Sequence, residues 1–182
     1  ELIEKNIAEK AYELCLITPN PPKKRTGKRI AVIGSGPAGL ATSDQLNQAG
    51  HEVTLFEKNA KIGGLLRYGI PDFKLEKWVI DRRITLMEEE GVRFSPQTEI
   101  GINIQAAEIL KEYDAVVLSI GAQQPRALNI PGSSLKGVHF AMDFLGKQNQ
   151  VIGGEAATNP ISAKGKKVLV IGGGDTGSDC IG

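Results

Sequence analysis

The chain has little cysteine and little histidine. Its 182 residues include two cysteines, Cys15 and Cys180, and two histidines, His51 and His139. Because the cysteines form neither a CxxC pair nor a cluster, the sequence argues against a zinc or iron–sulfur site within these residues. The isolated histidines are expected to be structural or solvated. The small number of cysteines favours a reducing compartment, and we therefore predict a cytoplasmic protein.

An excess of one charge and long apolar runs are also missing. The 22 basic and 21 acidic residues leave a net charge of +1, so no nucleic-acid or membrane surface is predicted. No apolar run approaches the roughly 18 residues of a membrane span, and no signal peptide is visible. A hydrophobic content of 41% is ordinary for a globular protein. The length suits one domain plus part of another.

Glycine, in contrast, is abundant, and it forms two copies of one motif: GSGPAG at residues 34–39 and GGGDTG at residues 172–177. Each copy follows an apolar run typical of a strand, at 30–33 and 168–171, and precedes helix-compatible residues. In this context the glycines let the backbone approach a pyrophosphate, while the helix N-terminus supplies free N–H groups. The pair therefore predicts two dinucleotide cofactors. The alternative for each copy is a glycine-rich turn without a ligand.

The first copy has an acidic partner. Glu57 ends the apolar run 52–57, 18 residues after Gly39 (57 minus 39), which is close to the spacing expected for a carboxylate on ribose hydroxyls. The alternative is an ordinary exposed glutamate at a strand end. Between them we predict a helix over residues 37–49, with a proline in its first turn and Gly50 to end it.

The second copy has few residues after it. A βαβ unit requires roughly 30 residues, and the chain ends at Gly182. We therefore expect a piece of a longer protein in which the second site is incomplete and residues 168–182 are held poorly.

The remaining pattern predicts further elements. Residues 61–71 are expected to form an irregular glycine-rich segment that can approach a flat ligand closely. Apolar spacing and breakers predict helices over 2–17, 75–90 and 107–111, a strand over 92–95, a buried strand over 114–119, a strand followed by a helical turn within 137–146, and a polar connector over 148–164.

Several segments together resemble one family. They are RTGK at 25–28, RIAVIGSGPAGL at 29–40, GGLLRYGIPDFKL at 63–75, GVHFAMDFL at 137–145 and VIGGGDTGSDC at 170–180. Across essentially the whole chain they are similar to the glutamate synthase small (beta) subunit, which is related to the flavin half of dihydropyrimidine dehydrogenase. The resemblance implies an α/β fold: a Rossmann-like FAD-binding domain of the type with two dinucleotide-binding domains, preceded by an N-terminal helix and followed by the truncated start of a second, NADPH-binding domain.

The resemblance also implies which residues bind each cofactor. FAD would be bound by Gly34, Gly36, Pro37, Ala38, Gly39, Leu40, Glu57, Lys58, Gly64, Leu65, Lys74, Ile100 and Gly121. NADPH would be bound by Gly172, Gly173, Gly174 and Asp175. No catalytic acid, base or nucleophile and no metal ligand is expected. The run Ser119-Ile120-Gly121 departs from the family, whose corresponding strand often has a threonine before the glycine.

The same resemblance divides the chain and implies its partners. Residues 1–28 would form an N-terminal helix and linker, 29–164 the FAD-binding domain and 165–182 the start of the NAD(P)H-binding domain. In the full-length protein a hydride would pass from NADPH to FAD, whereas residues 1–182 alone are expected to be inactive. Electrons would then pass through [4Fe-4S] clusters, in a preceding module or the partner, to a large (alpha) subunit that makes glutamate.

Two alternatives to this function stay open at this stage, and a third is disfavoured. The chain could belong to a ferredoxin-linked NAD(P)H reductase or a transhydrogenase subunit of the same flavoprotein family. It could instead be a flavin-binding or docking module without activity. A disulfide reductase is disfavoured, because no cysteine lies between the two fingerprints.

Overall fold

The computed structural model describes residues 2–182, and a four-stranded parallel sheet lies at its centre. The strand order is β3-β2-β1-β4, and all pairings are parallel. The strands are β1 (Arg29–Ile33), β2 (Glu52–Phe56), β3 (Arg93–Ser95) and β4 (Ala115–Leu118). Because β1 and β2 are buried on both faces, they need the continuous apolar runs that the sequence shows. The predicted α/β class is confirmed.

Seven helices accompany the sheet in the part of the chain that is described. They are α1 (Leu2–Glu13), α2 (Pro37–Gln48), α3 (Leu65–Tyr68), α4 (Lys77–Glu89), α5 (Ala106–Glu112), α6 (Ala141–Ile152) and α7 (Asp175–Ile181). The helices predicted over 37–49, 75–90 and 107–111 are confirmed within two residues at each end. Helix α1 ends at Glu13, four residues earlier than predicted, and Cys15 beyond it has a positive φ of 54°.

Alternate residues of β1 face two apolar layers. Ile30 and Val32 lie with Leu40 and Met87, which α2 and α4 contribute. Ala31 lies on the other face with Phe56 and Ile109, the latter from α5. Helices therefore cover both faces of the sheet, which leaves the carboxyl edge of the strands as the place for a ligand.

Helix α1 has no buried residue, and its contact with α4 is charged and aromatic. The guanidinium of Arg82 donates two hydrogen bonds to the Glu9 carboxylate, at 2.7 and 2.8 Å. The same guanidinium lies over the Tyr12 ring at 3.6 Å and the Trp78 ring at 4.8 Å. This hydrogen bond from Arg82 lowers the pKa of Glu9. The contact attaches α1 to the outside of the domain.

Strand β4 differs from its prediction. It was expected to be buried, but it forms the edge of the sheet, and Leu118 is 72% exposed. The apolar run is typical of a strand with a neighbour on each side, whereas within residues 2–182 only β1 pairs with β4. Apolar character alone cannot tell a central strand from an edge.

Three further predictions were wrong in detail. No strand forms within 137–146; instead α6 begins at Ala141 and continues to Ile152, into the predicted connector. Residues 61–71 include the single helical turn α3. The run at 168–171 does not form a strand, because none of the four strands within residues 2–182 pairs with it to accept its backbone hydrogen bonds. No helix within residues 2–182 is both long and apolar enough to cross a membrane.

Candidate functional site

The first fingerprint is the turn that leaves β1 at its carboxyl end. Gly34 has a φ of +103°, and a Cβ there would collide with the carbonyl of Ser119 after β4. A Cβ on Gly39 would collide with the carbonyl of Gly34. The first glycine therefore permits the tight turn, and the third lets α2 pack against it.

Unlike Gly34 and Gly39, Gly36 has open space in the direction of a side chain. It caps the N-terminus of α2 in extended backbone, with φ −65° and ψ −178°, and a Cβ added to it would meet no atom within 4 Å. Pro37 and Ala38 beyond it are exposed, while Leu40 packs into the core. The free N–H groups of the first helical turn thus face open space in front of Gly36. This cradle fits a dinucleotide pyrophosphate, because a side chain at Gly36 would fill the approach.

Glu57 lies beside this turn, at the end of β2, and its exposure is only 5%. Its Oε2 accepts hydrogen bonds from the Ser35 backbone N–H at 3.1 Å and from the Ser35 hydroxyl at 2.5 Å. Its Oε1 accepts from the Asn59 backbone N–H at 2.8 Å and from Asn59 Nδ2 at 2.7 Å. The alternative of an ordinary exposed glutamate is excluded. The ribose role stays a prediction.

Ser35 and Asn59 were not among the predicted site residues. Ser35 is fully buried, and its hydroxyl also accepts the Gly63 N–H at 2.9 Å. A hydroxyl residue between the two glycines of GxG and an asparagine two residues after the acidic residue are the signals that could have identified them. Both are short polar side chains that hydrogen-bond nearby backbone and carboxylate groups.

The turn at Gly63 and Gly64 packs against the fingerprint. Gly64 has a φ of +53°, and a Cβ on it would lie 2.7 Å from the Gly36 Cα. Leu65, which begins α3, is 59% exposed. The structure therefore brings Gly64 and Gly36 together, as the resemblance implies, with Leu65 at the surface beside them.

Two side chains of α3 hold this turn in place. The buried Arg67 donates from Nε to the Ile62 carbonyl at 2.6 Å and pairs with Asp81 of α4. The Tyr68 hydroxyl donates to Glu155 at 2.8 Å and accepts the Lys61 N–H at 3.0 Å. Burial, and secondarily the bond to Glu155, raise the pKa of Tyr68 above its usual value. The phenol stays protonated and so keeps its donor.

Three other predicted residues lie in segments that follow the strands. Lys58 comes directly after Glu57, and its Nζ donates to Gln123 at 3.0 Å. Ile100 packs against the apolar layer around Phe56 and forms an isolated bridge with Ile104. Gly121 has a φ of +66° and open space around it. None of these contacts tests a role in cofactor binding.

Lys74 contacts the helix after the second fingerprint. Its Nζ pairs with Asp179 of α7 and lies 3.9 Å from Asp175. The hydrogen bond to Asp179 is the main cause that raises the pKa of Lys74. The structure thus brings together Lys74 and Asp175, which the resemblance assigns to different cofactors.

The second fingerprint reproduces the loop but not the strand. Gly172 has a φ of +121°, and Gly174 caps α7 with φ −83° and ψ −178°, close to the values at Gly36. A Cβ on Gly177 would collide with the Gly172 carbonyl, as in the first copy. However, a Cβ on Gly172, Gly173 or Gly174 would meet nothing within 4 Å. The fit to a second dinucleotide is therefore limited to the loop itself.

Other candidate sites are few. Residues 2–182 contain no group of histidine, cysteine, aspartate or glutamate side chains that could hold a metal ion, and Cys15 and Cys180 are unpaired. A recess of about 500 Å³ lies at the amino ends of the strands, opposite the fingerprints. Its lining includes Arg25, Arg29, Glu52 and Arg93. It shares none of the predicted site residues, so it does not alter the assignment.

Comparison with known proteins gives a family and two kinds of relative. Residues 28–182 match the family model described as pyridine nucleotide-disulphide oxidoreductase. The chain is 53% identical over 181 residues to the "Glutamate synthase [NADPH] small chain" of Bacillus subtilis, covering 98% of this chain and 37% of that protein. It is also 53% identical over 184 residues to the "Glutamate synthase [NADH]" of Schizosaccharomyces pombe, covering 99% of this chain and 9% of that protein.

Among solved structures, FprA of Mycobacterium tuberculosis in complex with NADPH is similar, with a TM-score of 0.62 and 31% identity. That match covers 68% of this chain and 29% of FprA. The match to the B. subtilis protein confirms the resemblance to glutamate synthase small chains. The chain spans under two-fifths of the length of the B. subtilis protein.

Proposed function

The chain belongs to the pyridine nucleotide-disulphide oxidoreductase family, and we propose that it is the flavin-binding part of a glutamate synthase small chain, the subunit through which electrons enter that enzyme. The observation that carries this proposal is the open cradle at Gly36, bordered by the closely packed Gly34 and Gly39. The likeness to glutamate synthase small chains supports the choice of enzyme. The division into 1–28, 29–164 and 165–182 is part of the proposal.

We propose that different groups of residues in the first site bind different parts of FAD. Gly34, Gly36 and Gly39, with Pro37, Ala38 and Leu40, form the turn and the first helical turn that receive the FAD pyrophosphate. Glu57 accepts the adenosine ribose hydroxyls, with Lys58 beside it. Gly64 and Leu65 border the pyrophosphate and the flavin, and Lys74, Ile100 and Gly121 complete the site.

The chemistry belongs to the cofactor: FAD, when bound, accepts a hydride from NADPH and releases its two electrons singly or in pairs. The chain's own residues bind and orient it and exclude water. Gly172, Gly173, Gly174 and Asp175 are proposed to form the NADPH loop. We propose no acid, base or nucleophile from this chain.

After FAD is reduced, the electrons would pass to groups outside this chain. We propose that [4Fe-4S] clusters outside residues 2–182 carry them to a large (alpha) subunit, where glutamate is formed from 2-oxoglutarate and glutamine-derived ammonia. We propose no contact with nucleic acid or membrane. We propose that the protein is located in the cytoplasm.

A second candidate is an NADPH-dependent oxidoreductase with another electron acceptor, as in a ferredoxin-linked reductase or a transhydrogenase subunit. The likeness to FprA favours it, because that protein shares the fold at 31% identity and was solved with NADPH. The fingerprint geometry is common to both candidates, so the acceptor must distinguish them.

The experiment has two stages. Flavin absorbance after purification and denaturation should show FAD in stoichiometric amount; no FAD would contradict both candidates. Because this chain supplies only the loop of the second site, the full-length protein is used for the second stage. It is combined with a glutamate synthase large subunit, and NADPH oxidation and glutamate formation are measured together. We expect glutamate formation that depends on both proteins. Transfer to ferredoxin without glutamate formation would favour the second candidate.

A further inference from the structure

The carboxylate of Glu57 is fully occupied by hydrogen bonds from its own chain. An ionised carboxylate offers about four acceptor positions. Ser35 and Asn59 supply four donors, two to each oxygen. Within residues 2–182, no ion pair joins Glu57 to a lysine, arginine or histidine. Because a buried charge is costly without partners, these neutral donors must hold it.

The two oxygens differ in accessibility. The bonds from Ser35 to Oε2 are buried, and the Ser35 hydroxyl is itself held by the Gly63 N–H. The bonds from Asn59 to Oε1 are only partly buried. A ligand that approaches from solvent therefore reaches Oε1 first, and Oε2 is fixed behind it.

The two Asn59 donors also differ. The backbone N–H is fixed by the path of the chain after β2, whereas Nδ2 lies on a side chain that can rotate about two bonds. Of the four donors to Glu57, the side-chain amide of Asn59 can therefore leave with the smallest loss of folding stability. A ribose diol needs an acceptor at this carboxylate, so one donor must give way to it.

We propose that the Asn59 side-chain amide and the ribose hydroxyls of the bound dinucleotide compete for Oε1 of Glu57, while Ser35 keeps Oε2 in place. Asn59 is then a positioning residue that sets the affinity of the first site for the adenosine half of its ligand. The inference rests on the proposed binding of FAD at the first fingerprint, and it adds the group that opposes that binding.

The test uses two probes, ADP and 2′,3′-dideoxy-ADP, titrated calorimetrically into flavin-free protein. Only ADP carries the hydroxyls, so the ratio of the two dissociation constants measures the hydroxyl contribution alone. Asn59→Leu keeps the length of the side chain and removes the donor. Asn159→Ala is the matched control, because Asn159 Nδ2 also makes hydrogen bonds, to Phe144 and Gln148.

We expect Asn59→Leu to tighten ADP about tenfold, the worth of one hydrogen bond to a charged group, and to leave dideoxy-ADP nearly unchanged. Asn159→Ala should leave the ratio as it is. A merely structural role of Asn59 would weaken both probes together. An unchanged or smaller ratio in Asn59→Leu would overturn the inference.

A second measurement needs no variant. In the unaltered protein, the side-chain amide resonances of Asn59 should shift on addition of ADP and stay in place with dideoxy-ADP. Equal shifts with both probes would also overturn the inference. If the unaltered protein binds neither probe, the proposed FAD site fails. If it binds ADP and dideoxy-ADP equally well, the ribose role of Glu57 fails and the inference with it. A preference that Asn59 does not affect leaves the proposed function intact.

Discussion

The two glycine-rich fingerprints have nearly the same local backbone and very different surroundings. In both, the first glycine has a positive φ, the cap glycine is extended, and the last glycine has no room for a Cβ. Around the first, β1 lies between β2 and β4, and Ile30 and Val32 are buried. Before the second, Val168, Leu169 and Ile171 are 62 to 83% exposed, and no strand forms.

This difference shows that the loop depends on local sequence, whereas the strand before it depends on distant parts of the chain. The loop follows from glycines at fixed spacing and the start of a helix, which are local properties. A strand needs partners for its backbone N–H and C=O groups, and these come from distant parts of the chain. Beside the first copy, the Glu57 carboxylate accepts hydrogen bonds from Ser35, whereas the matching position of the second copy is Gly173, which has no side chain. A fingerprint motif is therefore evidence for a loop, and its neighbours decide whether that loop becomes a site.

The largest expected effect is on packing. Gly39→Ala would push a Cβ into the Gly34 carbonyl, and we expect it to lower the free energy of unfolding by about 3 kcal/mol. The matched Gly177→Ala collides in the same way with the Gly172 carbonyl. However, no atom lies within 4 Å of a Cβ on Gly172, so that residue can shift to relieve the collision, and we expect a change within about 0.5 kcal/mol. Urea unfolding followed by circular dichroism measures both. Equal losses would show that the second loop is held as firmly as the first.

The next effect is on the cradle. Gly36→Val places a branched side chain in the open space that receives the pyrophosphate, so we expect FAD affinity to fall at least about a hundredfold, ~2.7 kcal/mol. The fold should survive, because the backbone at Gly36 is extended and its Cβ direction is empty. Flavin content is read by absorbance after denaturation. Gly174→Val is the control and should retain flavin; equal flavin in all three proteins would refute the assignment.

Ser35 and Gly173 occupy the same position in the two copies, which allows a third test. Ser35→Ala leaves the Gly63 N–H without its acceptor and removes one donor from Glu57, at an expected loss of about 2 kcal/mol of stability. Gly173→Ala should change the thermal midpoint little, because a Cβ on that residue would meet no atom within 4 Å. A Ser35→Ala protein as stable as the unaltered one would show that the network is not energetically important.

A smaller effect is expected from Glu57→Gln. The amide keeps one acceptor oxygen but turns an NH₂ group towards donors, so FAD binding should weaken by about 1 kcal/mol, the difference between charged and neutral hydrogen bonds. Glu52→Gln, at the exposed start of β2, is the control. The FAD dissociation constants are compared by fluorescence quenching. No difference between the two variants would reduce Glu57 to a purely structural residue.

The smallest effect concerns the contact between Lys74 and α7, the helix that follows the second fingerprint. Lys74→Ala removes the pair with Asp179, so amide hydrogen exchange across residues 175–181 should accelerate while exchange in the sheet stays unchanged. The exposed Lys136→Ala serves as the control. If Lys74→Ala instead loses flavin and leaves the exchange of α7 unaltered, Lys74 serves the first site, as the family resemblance implies.

Much of the fold and part of the site follow from sequence patterns. The apolar runs of β1 and β2, the breakers around α2 and α4, and the spacing from Gly39 to Glu57 are short-range features that predict their elements within a few residues. The motif segments were also specific enough to indicate the family. Each of these signals lies within about 30 residues of chain, the length of one βαβ unit.

Only the tertiary structure decided the rest. It placed β4 at the edge, left residues 168–171 without strand partners, turned Glu57 inward onto Ser35 and Asn59, and set Lys74 against α7. None of these can be derived from periodicity, because the same apolar run or carboxylate suits a covered or an exposed position equally well. Burial and hydrogen bonding depend on which distant segments come to lie beside a residue, and that is a property of the folded chain as a whole.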